Sequence, residues 1–297
     1  MSIIVNSNPN PNYFMYNNQA CSKVYWNNNL VWPAPEIAYF WIMPDQNDAL
    51  VYDYNTTGQT VPEVSKTIKY SFDANTWIQY TSPVQIMAGQ KIYLLSETTD
   101  SFCVLSGGTY GAVGAKGLSM ANRSTFSAGG SIKALFNNIL TMPMYGMSRF
   151  FWGSTIRDAS SIIFTLTSEF CYHLMFSDCR YLTSVPALPM TELSHGCYAY
   201  MFWNSQNLTS LPALPATTLA YGCYTSMFYE CYSLRFSETQ TSMCPNAFRL
   251  PSSGTVSIYN KSDYYYDMFG GAAAYNPFVS GMPEPNTTYY TNATIIS

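Results

Sequence analysis

Residues 197–222 read CYAYMFWNSQNLTSLPALPATTLAYG, and residues 171–196 read CYHLMFSDCRYLTSVPALPMTELSHG. A third copy opens at Cys223 with CYTSMFYECYSL and then diverges. The three copies begin at a constant interval of 26 residues. A fixed period of about 20–50 residues is typical of stacked repeat architectures. The sequence therefore predicts that the C-terminal half of the chain is a short array of similar units packed side by side.

Each copy contains two kinds of segment. Leucines recur at every third position in residues 208–215, and prolines there remove backbone donors, which predicts a short extended segment with turns. Leu219, Cys223 and Met227 then follow at intervals of four, and Thr217 or Thr218 can cap a helix, so a short helix is predicted next. Neither segment buries its apolar side alone, so the copies must stack.

Weaker copies flank the clear ones, as expected for units that cover the open ends of an array. A degenerate first copy is predicted near Tyr145, with Phe150 placed 26 residues before Phe176. The pair Met268-Phe269 restores the pattern after an insertion. A final strand is predicted near residues 294–296.

The middle of the chain is predicted to be β structure. Apolar runs at residues 68–72, 77–80, 84–87 and 91–95 alternate with turn residues, a spacing that is typical of a small sandwich. Residues 107–130 are rich in Gly and Ser and predict a long loop or an irregular hairpin.

The first 36 residues are rich in Asn and Pro, and residues 23–32 (KVYWNNNLVW) predict two short strands around an Asn turn. Such a piece is too small to fold alone. The predicted fold is therefore mixed and β-rich. It comprises an N-terminal attachment segment at 1–36, a β-sandwich-like module at 37–142, and an irregular repeat solenoid with capping copies and a tail at 143–297.

Composition excludes several classes of partner. The net charge is −4 and no cluster of Lys or Arg occurs, which argues against nucleic acid, since its binding needs a basic patch. No apolar run is long enough to span a bilayer, and the start, MSIIVNSNPNPNYF, does not resemble a secretory signal. Only 10% of residues are charged and 26 are Tyr. Such a surface favours packing against other subunits, so a homo-oligomer is predicted.

The cysteines and histidines do not predict chemistry. Cys179 and Cys231 are replaced by Ser205 in the middle copy, which favours small core residues over zinc ligands. His173 and His195 occupy variable repeat positions and have no evident orienting partner. No catalytic residue, metal or cofactor is therefore predicted, and the chain is expected not to be an enzyme.

Aromatic residues are the strongest candidates for binding. Tyr198 and Tyr224 recur at one repeat position, which predicts a core role. Other aromatic positions vary between copies and are expected to reach the surface, where Tyr and Trp supply rigid contact area and a polar tip. The predicted binding residues are Trp203, Tyr229, Tyr200, His173 and Tyr221, with core packing as the alternative for each.

The pattern CYxxMFxxCxxLTxLPALPATTLAxG, clear over residues 171–236, resembles the BspA-like leucine-rich repeats. These occur in bacterial surface proteins and in structural proteins of phages of gut Bacteroidales, including crAss-like phages. The segment KVYWNNNLVWP at 23–33 resembles one near the start of many phage tail and appendage proteins. The stretch IKYSFDANTWIQYTSPVQIMAGQKIYLLS at 68–96 resembles a β module that often precedes such repeats.

The resemblance implies a non-enzymatic virion structural protein, in a head or tail fibre, an appendage or a capsid decoration. Residues 1–36 would attach it to other virion proteins, and the repeats would serve assembly or binding to a host surface glycan or protein. It would be located in the virion, after assembly in the bacterial cytoplasm. Because such appendages are commonly trimers, the resemblance also implies that the expected homo-oligomer is a trimer. A bacterial cell-surface adhesin of the same repeat class, or less plausibly a carbohydrate-active enzyme, are the alternatives.

Overall fold

The computed structural model describes residues 39–54, 67–81, 83–98, 115–137, 142–271 and 281–297, together with the backbone of four short strands among the first 32 residues. The chain divides into two compact units, residues 1–38 and 39–297. In the first unit, β1 (Met15–Tyr16) pairs antiparallel with β2 (Gln19–Ala20), and β3 (Val24–Trp26) pairs antiparallel with β4 (Asn29–Trp32). The second of these pairings confirms the predicted hairpin.

The second unit begins with two β-sheets. Their strands are β5 (Phe40–Pro44), β6 (Asp48–Tyr54), β7 (Ile68–Ser71), β8 (Ile78–Gln79), β9 (Val84–Ile86), β10 (Ile92–Ser96), β11 (Ala115–Met120), β12 (Phe126–Ser131) and β13 (Ile156–Ile163), with a 3₁₀ helix at Ile132–Phe136. One sheet has the order β13-β12-β5-β10-β7-β8, and the other has the order β11-β6-β9. Phe40, Ile42 and Leu94 of the first sheet and Leu50 and Ile86 of the second belong to one buried apolar cluster.

The prediction of a long loop or an irregular hairpin at residues 107–130 is wrong for the part of it that the structure describes, because β11 and β12 lie there as strands of two different sheets. The glycines of β12 permit close packing. A Cβ at Gly129 would overlap the ring of Trp41, and one at Gly130 would clash with the carbonyl of Tyr39. Glycine at these two positions therefore lets β12 lie close to the Trp41 side chain of β5 and to the backbone of Tyr39, the residue before β5.

Five segments built from consecutive β-turns lie side by side after these sheets. Copy 1 comprises residues 145–154, copy 2 residues 170–179, copy 3 residues 196–205, copy 4 residues 222–231 and copy 5 residues 263–271. Alternate N–H groups bond to the carbonyl three residues back, and the intervening ones bond to the next copy. Thus Met201 N donates to Tyr198 O at 3.2 Å, whereas Tyr198 N donates to Cys223 O at 3.1 Å. Backbone hydrogen bonds therefore join each copy to the next.

The prediction of a short helix in each repeat is wrong. In copy 3, Gly196, Tyr200 and Asn204 have φ of 57°, 56° and 57°, a left-handed conformation that interrupts a right-handed helix. Thr217, predicted as a helix cap, instead donates its N–H to Thr191 O at 3.0 Å. Apolar residues four apart fit these segments as well as a helix, because the left-handed residues recur every fourth position.

The predicted register of the first copy is wrong by one residue. Phe151, and not Phe150, stacks on Phe176, with ring centroids 5.6 Å apart and planes 14° apart. Gly153 and Asp178 share a positive φ, of 64° and 57°, so copies 1 and 2 are 25 residues apart. Two adjacent phenylalanines left the alignment ambiguous in the sequence, and packing selects the second.

The extended stretches between the turn segments also align. Thr183 N donates to Arg157 O of β13 at 2.9 Å, and Thr209 N donates to Thr183 O at 3.1 Å. Next along this row, β14 (Ser210–Pro212) pairs in parallel with β18 (Thr294–Ile296), which confirms the predicted final strand. Because β13 also pairs in parallel with β12, the row continues the six-stranded sheet across the boundary predicted at residue 142.

The remaining elements follow copy 4. They are β15 (Phe236–Ser237), β16 (Asn246–Arg249), β17 (Thr288–Thr291) and α1 (Ser262–Tyr265), which is the only α-helix in the described part of the chain. The three strands form a sheet of order β15-β17-β16. The second unit is thus β-rich, with several separate sheets.

Recurring residues fill the interior of the copies. The rings of Tyr172, Tyr198 and Tyr224 form one column of parallel rings, and those of Phe151, Phe176, Phe202, Phe228 and Phe269 form another. The Tyr198 and Tyr224 rings are buried, which confirms their predicted core role. The described residues of the second unit therefore share a continuous core that extends from the sheets to copy 5.

The alternation of Cys with Ser has a simple cause. Cys179 Sγ donates to Phe151 O at 2.9 Å, and Ser205 Oγ donates to Phe176 O at 2.8 Å. One copy further on, Cys231 Sγ donates to Phe202 O at 3.1 Å. Each side chain is fully buried and satisfies a carbonyl of the preceding copy, so thiol and hydroxyl are interchangeable there.

Candidate functional site: an aromatic groove across the copies

A groove of about 720 Å³ crosses copies 2 to 5. This volume lies within the range of small-molecule sites, about 300–1,000 Å³. Its aromatic lining consists of Phe170, His173, His195, Tyr200, Trp203, Tyr221 and Tyr266. The two histidines are the only ones in the chain. The groove therefore gathers aromatic side chains from four separate segments of the sequence.

Four of the five predicted binding residues line this groove, namely Trp203, Tyr200, His173 and Tyr221. The fifth, Tyr229, does not. It occupies the position of Trp203 one copy further along and is half-buried. Trp203 is also half-buried, so both side chains reach the surface in part.

Small residues form the floor of the groove and exposed rings form its rim. Gly196 and Gly222 line the groove although they are buried, which places them at its base. Tyr221 and Tyr266 are 63% and 55% exposed, and Tyr200 is 37% exposed. The groove is therefore open along its length, with phenol rings available to a ligand.

The turn segments decide which side chains reach the groove. In copy 3, the pairs Cys197-Tyr198 and Met201-Phe202 face the core, and the intervening pair Ala199-Tyr200 lines the groove. The left-handed conformation of Tyr200 follows from the repeat itself, since Ser226 has a φ of 48° at the same position in copy 4. The repeat thus fixes the backbone conformation at this position, and the residue type, which varies between copies, determines which side chain is presented to the groove.

Aromatic contacts between copies fix the orientation of the rings. His173 lies edge-on to Tyr200, with centroids 5.8 Å apart at 82°. His195 lies edge-on to Tyr221, with centroids 5.3 Å apart at 86°. Edge-to-face pairs of this kind are favourable, and they leave the rim rings preorganised.

His173 is an uncharged part of the lining at neutral pH. It is half-buried, and its Nδ1 lies 3.5 Å from Oγ of Ser148. Burial, and then the positive charge of Arg149, lower the pKa of His173 to about 4. The imidazole is therefore neutral at neutral pH and acts as a flat aromatic surface.

Asp263 and Tyr266 also line the groove, and neither is among the five predicted binding residues. They follow the insertion before copy 5, which breaks the period. Counting back from Met268-Phe269 would have aligned Tyr266 with Thr225, because Phe269 stacks on Phe228 with centroids 5.2 Å apart. Asp263 lies in α1 and is the only Asp, Glu, Lys or Arg among the described residues that line the groove.

The cysteines of the copies are buried free thiols. Burial raises the pKa of Cys171 and of Cys179 to about 12. No group of three or more His, Cys, Asp or Glu side chains that could hold a metal occurs within the described ranges. No helix there is long and apolar enough to cross a membrane.

Comparison with known proteins gave no match: no family model, curated protein or solved structure is significantly similar to this chain.

Proposed function

We propose that this chain is a non-enzymatic structural protein of a phage virion, with repeats of the BspA-like leucine-rich type that display the aromatic groove as a recognition surface. The convergence of Tyr200, Trp203 and Tyr221 on one groove carries the proposal. Their rings vary between copies while the core columns recur, as expected where a rigid scaffold presents a binding site. Binding to a host surface, or assembly with another virion protein, are the roles this arrangement suits.

The virion setting rests on the resemblance of residues 23–33 and 68–96 to phage appendage segments. The hairpin of β3 and β4 is the part of residues 1–36 that would attach to head or tail proteins. The low content of charged residues, 10%, favours assembly into a homo-oligomer, with a trimer proposed.

The test is the location of the protein in purified particles. We expect mass spectrometry of gradient-purified virions to detect it at a stoichiometry of many copies, and gold-labelled antibodies to place it on the head or tail. Its absence from virions, together with labelling of the bacterial surface, would favour the adhesin of the same repeat class. Release of reducing ends from a polysaccharide by the purified protein would contradict the non-enzymatic assignment.

A further inference from the structure

We infer that the groove binds an uncharged oligosaccharide, an inference that rests on the proposed function of the groove as a recognition surface. The shape of the groove is the first reason. It crosses four copies, and the Phe column sets the step between successive copies at 5.2–5.4 Å. An elongated ligand of several linked units fills such a groove, whereas a single small ion or amine does not.

The charge of the lining is the second reason. Among the described residues, no Lys or Arg lines the groove, and Asp263 is the one carboxylate there. His173 is neutral at neutral pH, because burial and Arg149 lower its pKa to about 4. An acidic glycan or a phosphorylated ligand would contact no Lys or Arg of the described lining, and burying an unpaired charge is costly. The groove therefore selects against anions.

The chemistry of the rim is the third reason. Tyr221 and Tyr266 present exposed rings, and the C–H faces of sugar rings pack on such aromatic surfaces. Phenol hydroxyls can donate hydrogen bonds to sugar hydroxyls and accept them, and the Asp263 carboxylate can accept them. Asp263 Oδ1 already accepts from Nδ2 of Asn260 at 3.1 Å, which holds the carboxylate in position.

The groove is preorganised for such a ligand. Gly196 N donates to Tyr221 O at 3.0 Å, and Tyr200 N donates to Thr225 O at 2.8 Å. Backbone hydrogen bonds thus fix the spacing of Tyr200 and Tyr221, so little backbone conformational entropy is lost on binding. The small floor residues Gly196 and Gly222 leave room for a sugar ring between the rims.

The test uses the purified full-length chain and isothermal titration. The probes are neutral hexasaccharides of glucose, mannose and galactose, with hexagalacturonate as the anionic counterpart of the galactose probe and choline as a small cation. We expect at least one neutral hexasaccharide to bind and hexagalacturonate not to bind. Tyr221→Ala and Tyr200→Ala should each weaken binding by about tenfold, equivalent to about 1.4 kcal/mol.

Tyr181→Ala is the matched control, because Tyr181 is 56% exposed and lies outside the groove. Circular dichroism establishes that all three variants fold. Preference for hexagalacturonate or choline, binding of no probe, or equal loss in the Tyr181 variant would each overturn the inference. Failure of the virion assignment is recognised separately, by absence from purified particles, and does not affect this titration.

Discussion

The rings of Phe176 and Phe202 lie parallel, with centroids 5.4 Å apart and planes only 4° apart. Both are fully buried, and each is flanked by a further Phe of the same column. The column begins at Phe151, which contacts Phe40 of the six-stranded sheet, and ends at Phe269 of copy 5. A change at its centre therefore affects copies on both sides.

Replacing Phe202 by Ala should lower the free energy of unfolding by about 3–5 kcal/mol, the usual cost of a cavity in place of a buried aromatic ring. Urea denaturation followed by fluorescence measures the effect. Tyr259→Ala is the control, since Tyr259 is fully exposed, and should change stability by less than about 0.5 kcal/mol. Similar effects of the two substitutions would refute a structural role for the column.

Gly129→Ala should destabilise the protein by about 1–3 kcal/mol or more, because the added methyl group overlaps the Trp41 ring. Gly89→Ala is the matched control. Gly89 has a φ of 70° and open space around it, so only backbone strain of about 1–2 kcal/mol is expected there. Thermal unfolding ranks the two variants, and a Gly129 variant as stable as the wild type would show that β12 does not need glycine for close approach.

Asp48→Asn should cost about 2 kcal/mol, because it removes a charged acceptor from partly buried donors. Oδ2 of Asp48 accepts from Ser124 N at 3.0 Å and from Ser124 Oγ at 2.6 Å. Burial alone would raise the pKa of Asp48, but hydrogen bonds from Ser124, Asn122 and Ala49 outweigh it and lower that pKa.

This contribution of Asp48 is present above the usual carboxyl pKa of 3.8 and is lost as pH falls through the lower folded value. The stability difference between wild type and Asp48→Asn should therefore narrow below pH 3.8. Denaturation across pH measures it, with the exposed Glu238→Gln as a control that should leave stability at neutral pH unchanged. A constant difference at all pH values would contradict the assigned role.

His173 should make the protein less stable as pH falls from about 6.5 to about 4. Its folded pKa is about 4, below the ordinary value of 6.5, so the unfolded chain takes up a proton first in this window. The loss is at most on the order of 3 kcal/mol. His173→Gln should remove it, whereas His195→Gln should retain it. An NMR titration midpoint of His173 near 6.5 would disprove the depressed pKa.

Some of the core was predictable from the sequence because identical residues recur at one position. Tyr198 and Tyr224, or Cys179 and Cys231, must occupy equivalent environments in packed copies, and both sets are buried. The conformation of the turn segments was not predictable in the same way. Apolar residues at intervals of four satisfy a helix equally well, and only the hydrogen bonds between copies select the left-handed turns. The glycines of β12 led to the prediction of a loop or an irregular hairpin at residues 107–130. In the structure Gly129 instead allows close packing against Trp41, a contact between residues far apart in the chain.

The sequence by itself determined that similar units repeat, which residues fill their shared interior and which positions vary. Only the tertiary structure decided that Tyr200, Trp203 and Tyr221 join Asp263 and Tyr266 in one groove, and that Tyr229 lies outside it. The physical reason is that a groove across copies depends on how each copy is aligned on the next. That alignment is fixed by backbone hydrogen bonds and ring stacking between residues distant in the chain, including those beyond the insertion before copy 5.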